Sequence, residues 1–179
     1  MWTDFKPAFS FLAIFLIIYF VGNLLYGVYV ESYGQHPDIL TEWVTEQTTI
    51  VLRWMGNDLH AENSTTAPKV YMKSSTDTVL SVFEGCNGIN VMIIFTAFVF
   101  AFGGLRSHMA WFIPTGLMVI HLFNLLRIVL LYYVSQYYGR YFYYIHKYFF
   151  TAGLYMIVFI LWAIWVFQFN AIRKNSSSS

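Results

Sequence analysis

The chain is poor in cysteine and in charge. Cys86 is its only cysteine in 179 residues, which excludes an intramolecular disulfide and any multi-cysteine metal site. Charged residues make up 11%, less than half of the roughly 25% usual in a soluble domain. With a net charge of +1 there is no field to steer nucleic acid, and none is expected as a partner. His-Glu-x-x-His, Gly-x-Ser-x-Gly and Gly-rich phosphate loops are all missing. The histidines are scattered, so metal catalysis is not expected and no cofactor is implied.

What the chain does have is apolar length. Hydrophobic residues make up 58% of it, more apolar surface than a domain of this size can bury, so the lipid bilayer is the expected solvent. About 20 apolar residues span ~30 Å of hydrocarbon. Runs of that kind fall at about 8–30, 89–105, 109–134 and 148–169. The first is longer than a signal-peptide core and ends in Tyr26 and Tyr29 rather than a small-residue cleavage site, so an uncleaved helix is expected. Pro114 falls in the first turn of the third run, where a missing N–H costs least. Tyr137, Tyr138, Tyr141, Tyr143 and Tyr144 before the fourth run form an interfacial aromatic belt.

The expected fold is therefore an all-α integral membrane protein of about four transmembrane helices, one domain over 1–179. Residues 31–85 are a polar insertion between the first and second spans, and 171–179 a disordered tail. Within the insertion, Thr41–Met55 reads as an amphipathic helix on the membrane surface or covering the core. Residues 58–69 read as a turn-rich connection, and Lys69–Met72 as a short strand. Lys6, Arg106, Arg173 and Lys174 lie in short flanks, whereas Arg53, Lys69, Lys73, Arg140 and Lys147 are spread over longer segments. Basic density near the helix ends puts the termini in the cytoplasm and the insertion outside.

That topology gathers three reactive types at one face. Cys86 sits at the mouth of the second span, in Glu84-Gly85-Cys86-Asn87-Gly88. Arg127 precedes the end of the third span by six residues, about 9 Å. His146 lies at the entry to the fourth. A cysteine attacks as its thiolate and needs a base or a positive charge nearby. His146 can take the thiol proton and return it to a leaving amine. Arg127 is no base, but it can hold a substrate carbonyl or an oxyanion. Gly85 and Gly88 would let a substrate backbone come close, and a helix starting at Cys86 would aim free N–H groups at the site.

Each residue also has a plainer reading. A lone cysteine beside an apolar helix is usually a small buried hydrophobe, an arginine can snorkel to the interface, and His146 can be an ordinary interfacial histidine. Arg127 inside a span still costs about 2.5–3.5 kcal/mol and marks function by default. His121, Asn124 and Arg127 fall on one arc of the third helix. Asn124 can orient Arg127 or bind substrate, and interhelical hydrogen bonding suits His121. Glu84 can pair with Arg127 or His146.

Glu84-Gly85-Cys86-Asn87-Gly88, then Asn124-Leu125-Leu126-Arg127-Ile128, then His146 with Gly153 following, resemble the exosortase/archaeosortase family, most of all its short exosortase F branch. The resemblance runs from Cys86 to Trp162. It differs from the usual pattern in Gly85 and Asn87, and in about four spans against about eight in larger members. It implies a membrane-embedded cysteine peptidase or transpeptidase of the bacterial inner membrane, with its active site on the extracytoplasmic side. The substrate would be the C-terminal sorting signal of an exported protein, whose helix would lie against the second and third spans. Cys86 would be the nucleophile, His146 the base and acid, and Arg127 the oxyanion group, supported by Glu84, Asn87, Gly88 and Asn124. An amine or glycan acceptor and a homo-oligomer are the further partners implied. The competing reading is a non-enzymatic membrane scaffold or assembly factor for exopolysaccharide or secretion machinery, with Arg127 in a structural ion pair.

Overall fold

The computed structural model describes residues 2–75 and 77–176. Helix α1 (Trp2–Glu31) is followed by α2 (Ile39–Trp54), then β1 (His60–Asn63), β2 (Lys69–Lys73) and β3 (Thr78–Phe83). A 3₁₀ turn, Glu84–Cys86, leads to α3 (Ile89–Phe102) and α4 (Arg106–Tyr137). The chain returns through the short helix α5 (Phe142–Tyr144) and a π-helical turn, Ile145–Phe150, into α6 (Thr151–Ser176).

Three helical stretches, Phe5–Glu31, Arg106–Tyr137 and Gly139–Gln168, are long and apolar enough to cross a membrane. The fourth expected span is shorter: α3 has 14 residues, about 21 Å at ~1.5 Å per residue. It is bounded by Gly88 at φ +85° and Gly103 at φ +78°, a conformation that only glycine adopts cheaply. Helix α4 is longer than expected. Its 32 residues extend about 48 Å, so it overshoots ~30 Å of hydrocarbon. Helix α6 runs to Ser176, so the tail expected from 171 is helical that far, and residues 177–179 lie outside the described residues.

Helices α1 and α3 are antiparallel. Phe11 meets Phe98 and Phe102 edge-on, and at the other end the Asn87 side chain reaches Tyr26. Small residues let the helices close up, as is usual in lipid. A Cβ on Gly22 would stand 2.8 Å from Ile93, and one on Gly116 would enter the Phe95 ring. Trp165 of α6 packs on Phe112 of α4 at 4.8 Å. One apolar core, with Phe95, Val99, Ile120 and Val158, fills this part of the bundle.

The all-α expectation needs correcting in the insertion, where β1, β2 and β3 form an antiparallel sheet in that order. Its inward row is Val70, Met72, Leu80 and Val82, all buried, alternating with Tyr71 and Ser81 as a strand requires. The sheet packs against α2 and builds a second core with Leu52, Cys86 and Ile128.

Helix α2 starts where Asp38 Oδ1 accepts the N–H groups of Leu40 (3.0 Å) and Thr41 (3.1 Å), an ordinary N-cap. Its buried face carries four threonines, Thr41, Thr45, Thr48 and Thr49. Thr45, Thr48 and Thr49 donate to the carbonyls one turn back at 2.7–2.8 Å, so their methyls can face the core without an orphaned hydroxyl. The outward face instead shows Ile39, Trp43, Ile50 and Trp54, the last 85% exposed. Of the two expected placements, on the membrane surface or covering the core, α2 takes the second with its buried face. Polar contacts tie it and the turn after it along α4: Gln47 Oε1 meets His121 Nε2 at 2.7 Å, and beyond the helix end the Tyr132 hydroxyl donates to Asn57 Oδ1 at 3.0 Å while the Asn57 amide donates to the Tyr133 hydroxyl at 3.2 Å. His121 thus makes the interhelical hydrogen bond expected of it.

Candidate active site

Arg127 lies 21 residues along α4 from Arg106, about 32 Å, so it stands one membrane thickness from the end of the bundle that carries Lys6 and Arg106. The 3₁₀ turn brings Cys86 to the same level. The chain re-enters through the π-helical turn that carries His146. Its wide coil holds the imidazole stacked on Phe142 (centroids 5.9 Å, 8° between planes), and Phe83 covers it from the sheet side at 6.5 Å.

The three expected residues meet. Cys86 Sγ is 3.6 Å from His146 Nε2. Arg127 Nη2 is 3.3 Å from the same nitrogen and 4.0 Å from the sulfur. A guanidinium only donates. Nε2 therefore accepts from Arg127, which places the imidazole proton on Nδ1 and leaves the unprotonated nitrogen beside the thiol. The thiol is buried, at 4% exposure, yet lines a cavity of about 690 Å³. Burial pushes its pKa up, and the Arg127 guanidinium and the Phe83 backbone N–H bring it only part of the way back. Burial thus favours the thiol over the thiolate, beside an unprotonated Nε2.

This has a measurable consequence. Alkylation of Cys86 by iodoacetamide is expected to rise with pH and reach half its maximum above the ordinary thiol value of about 8.5. Arg127→Gln removes a charge that favours the thiolate, so it should move that midpoint further up. A midpoint below 8 in the unaltered chain would contradict the assignment of a protonated resting thiol.

Asn124 links two members of the group. Its amide donates to the Cys86 carbonyl at 2.9 Å, and its Oδ1 faces Arg127 Nη1 at 3.4 Å. It is fully buried, which the sequence arc of α4 anticipated. Two other expectations change. Helix α3 starts at Ile89, three residues beyond Cys86, because Gly88 in the left-handed region turns the chain first. And Gly88 makes room for Asn124 rather than for a substrate backbone, since a Cβ there would stand 3.1 Å from the Asn124 Cγ.

Glu84 does not pair with Arg127 or His146. Its Oε2 is buried without a hydrogen-bond partner among the described residues, and its carboxyl is pushed up by burial and then by Asp38. Asn87 also turns away from the thiol. It donates to the Tyr26 hydroxyl (2.6 Å) and to Thr41 Oγ1 (3.1 Å), while its Oδ1 takes the Ile89 N–H at 3.1 Å. Thr41 in turn donates to Asp38. This buried knot pins the Cys86 turn to α1 and α2, and nothing in the spacing of Tyr26, Asp38 and Thr41 pointed to it.

A multi-pass integral membrane protein that brings its single thiol, an imidazole and an intrahelical guanidinium together at one end of the bundle belongs to a narrow class. A family model for the transmembrane exosortases matches residues 5–167, and the chain belongs to that family. Membership suggests a membrane protease or transpeptidase. Nothing among curated proteins or among solved structures matches the chain.

Proposed function

We propose that the chain is a membrane-embedded cysteine peptidase or transpeptidase that cleaves the C-terminal sorting signal of an exported protein. The observation that carries this reading is the 3.6 Å approach of Cys86 Sγ to an unprotonated His146 Nε2. In the first step that proton moves to Nε2 while the sulfur attacks the scissile carbonyl carbon. The carbonyl oxygen becomes an oxyanion, and Arg127 is the cation within reach of it. Among the described residues Arg127 Nε is buried with no partner, so the guanidinium keeps donor capacity in reserve. When the C–N bond breaks, His146 returns the proton to the leaving amine and a thioester remains on Cys86. Water then gives hydrolysis, or an amine, borne by a lipid or glycan acceptor, gives transfer.

In this reading α3 acts as the fourth crossing, completed by the turns that flank it. The short Lys6 and Arg106 flanks face the cytoplasm of a bacterial cell, which places the site on the extracytoplasmic side of the inner membrane. Asn124 and Gly88 hold the Cys86 loop in register with Arg127, and Asn87 and the Glu84 backbone carbonyl, which both meet the Tyr26 hydroxyl, hold it from behind. A second copy of the chain would supply surface that larger relatives build with extra spans.

The test is chemical trapping. The unaltered chain, acid-quenched during active processing in cells that make its substrate, should carry a Cys86-linked polypeptide that neutral hydroxylamine releases, whereas His146→Ala, which lacks the base for acylation, should carry none. If hydroxylamine releases nothing from Cys86 in the unaltered chain under active processing, the acyl-enzyme route is wrong.

A further inference from the structure

Two grooves meet at the Cys86–His146–Arg127 cluster, and they differ in kind. One has a volume of about 490 Å³ and lies between α4 and α6, with Arg127 at its rim and Leu126, Phe149 and Met156 among its walls. It is almost wholly apolar, and its floor is open at Gly153, where an added Cβ would touch nothing within 4 Å. The other, of about 690 Å³, is bounded by β3, by Ile128 and Leu131 of α4, and by the segment that carries His146.

The second groove is lined by five consecutive residues of β3, Val79 to Phe83. Successive strand side chains point to opposite faces, so five in a row can line one groove only through the strand's edge. That edge is free. The sheet order is β1-β2-β3, and no β3 backbone group has a backbone partner outside the β2 ladder among the described residues. Every second residue of β3 turns its N–H and C=O away from β2. Phe83 is one of these, because its β2 partner Lys69 gives its carbonyl to Ser64 on the β1 side, and the two-residue period makes Ser81, opposite Tyr71, another. A lipid chain would leave those groups unpaired in an apolar groove, at a cost. An extended polypeptide pairs with them.

We propose that the polypeptide to be cleaved binds as a fourth strand on the free edge of β3, and that the apolar helix following it lies in the groove between α4 and α6. This rests on the peptidase reading above and adds how the substrate is held. β3 runs from Thr78 toward Cys86, and so does a chain whose scissile bond reaches the sulfur, so the added strand is parallel to β3. Five β3 residues span about 16 Å, a strand of four to five substrate residues. Backbone pairing tolerates many sequences, and side-chain choice falls to Phe142 and the apolar floor. The substrate helix therefore lies against the third and fourth long apolar segments rather than the second and third.

The test places the photocross-linker p-benzoylphenylalanine at position 81 of the full chain carrying Cys86→Ala, in the cells that natively make it. The expected adduct joins position 81 to residues immediately before an apolar stretch of about 20 residues in an exported protein. The same cross-linker at Asn63, on the far strand of the sheet, should give none. An adduct within the apolar stretch, on lipid, or on a second copy of the chain would overturn the proposal. A second measurement uses Ser81→Pro, which deletes one edge donor while sparing the β2 ladder. It should raise KM for the captured substrate about tenfold with kcat and Cys86 alkylation little changed. Unaltered KM in Ser81→Pro overturns the strand pairing alone, whereas normal processing by Cys86→Ala would sink the peptidase reading itself.

Discussion

Cys86→Ala is expected to stop cleavage of the sorting signal, with the unprocessed precursor accumulating in the membrane. The covalent route offers no substitute for the sulfur, so the loss should be on the order of 10³-fold or more. Serine should rescue little, because its hydroxyl ionises far less readily than a thiol and no second base stands beside Cys86. Folding should survive. The sulfur occupies one buried position in the core around Leu52, Met72 and Ile128, and deleting a group of that size costs on the order of 1 kcal/mol. Precursor processing is read by gel shift and stability by thermal unfolding in detergent. A scaffold protein predicts the reverse pattern: normal processing, with any defect following the loss of stability. Wild-type processing by Cys86→Ala would end the peptidase assignment.

The second large effect is at Arg127, where activity and stability are expected to move in opposite directions. Its guanidinium reaches His146 Nε2 at 3.3 Å, Asn124 Oδ1 at 3.4 Å and the thiol at 4.0 Å. No carboxylate pairs with it among the described residues, where the ion pair is Lys73–Glu62 at 2.7 Å. An arginine in a span without a counter-charge costs about 2.5–3.5 kcal/mol on insertion scales. Arg127→Met keeps the length and removes that cost, so thermal stability should hold or rise. Processing should fall about 10²–10³-fold, the usual loss when one oxyanion donor is removed. Arg127→Lys should not restore it, since an ammonium lacks the planar fork that reaches three partners at once. The scaffold reading, with Arg127 as a structural member, predicts that Arg127→Met loses stability and function together. A fall of several degrees in Tm alongside the activity loss would favour it.

The membrane helices were legible because their signal is local. A run such as 8–30 or 109–134 declares its length and polarity residue by residue, and the bilayer acts on those properties directly. The site was half legible. Topology alone put Cys86, Arg127 and His146 at one level, and the helical period put Asn124 beside Arg127. The insertion was read least well. Only Lys69–Met72 stood out as a strand, because β1 and the sheet's register depend on pairings between segments, and no single segment records its partner. Helix α2 hid its buried face, since threonines that bond to their own helix look polar in sequence and pack as apolar. Glu84 had Arg127 and His146 expected at its level but pairs with neither, and only the fold brings Asp38, 46 positions away, near enough to raise its carboxyl further.

The motif around Cys86 shows the division. By itself the sequence determined that a lone thiol stands at the mouth of an apolar segment, with a costly arginine and a histidine at matching depth. Those follow from composition, helix rise and the price of charge in lipid. Only the tertiary structure decided that Gly88 yields its space to Asn124, that Asn87 faces away into a knot with Tyr26 and Thr41, and that the free edge of β3 runs straight to the sulfur. Each of these is a contact between segments far apart in the chain, and packing, which no local period encodes, selects among them.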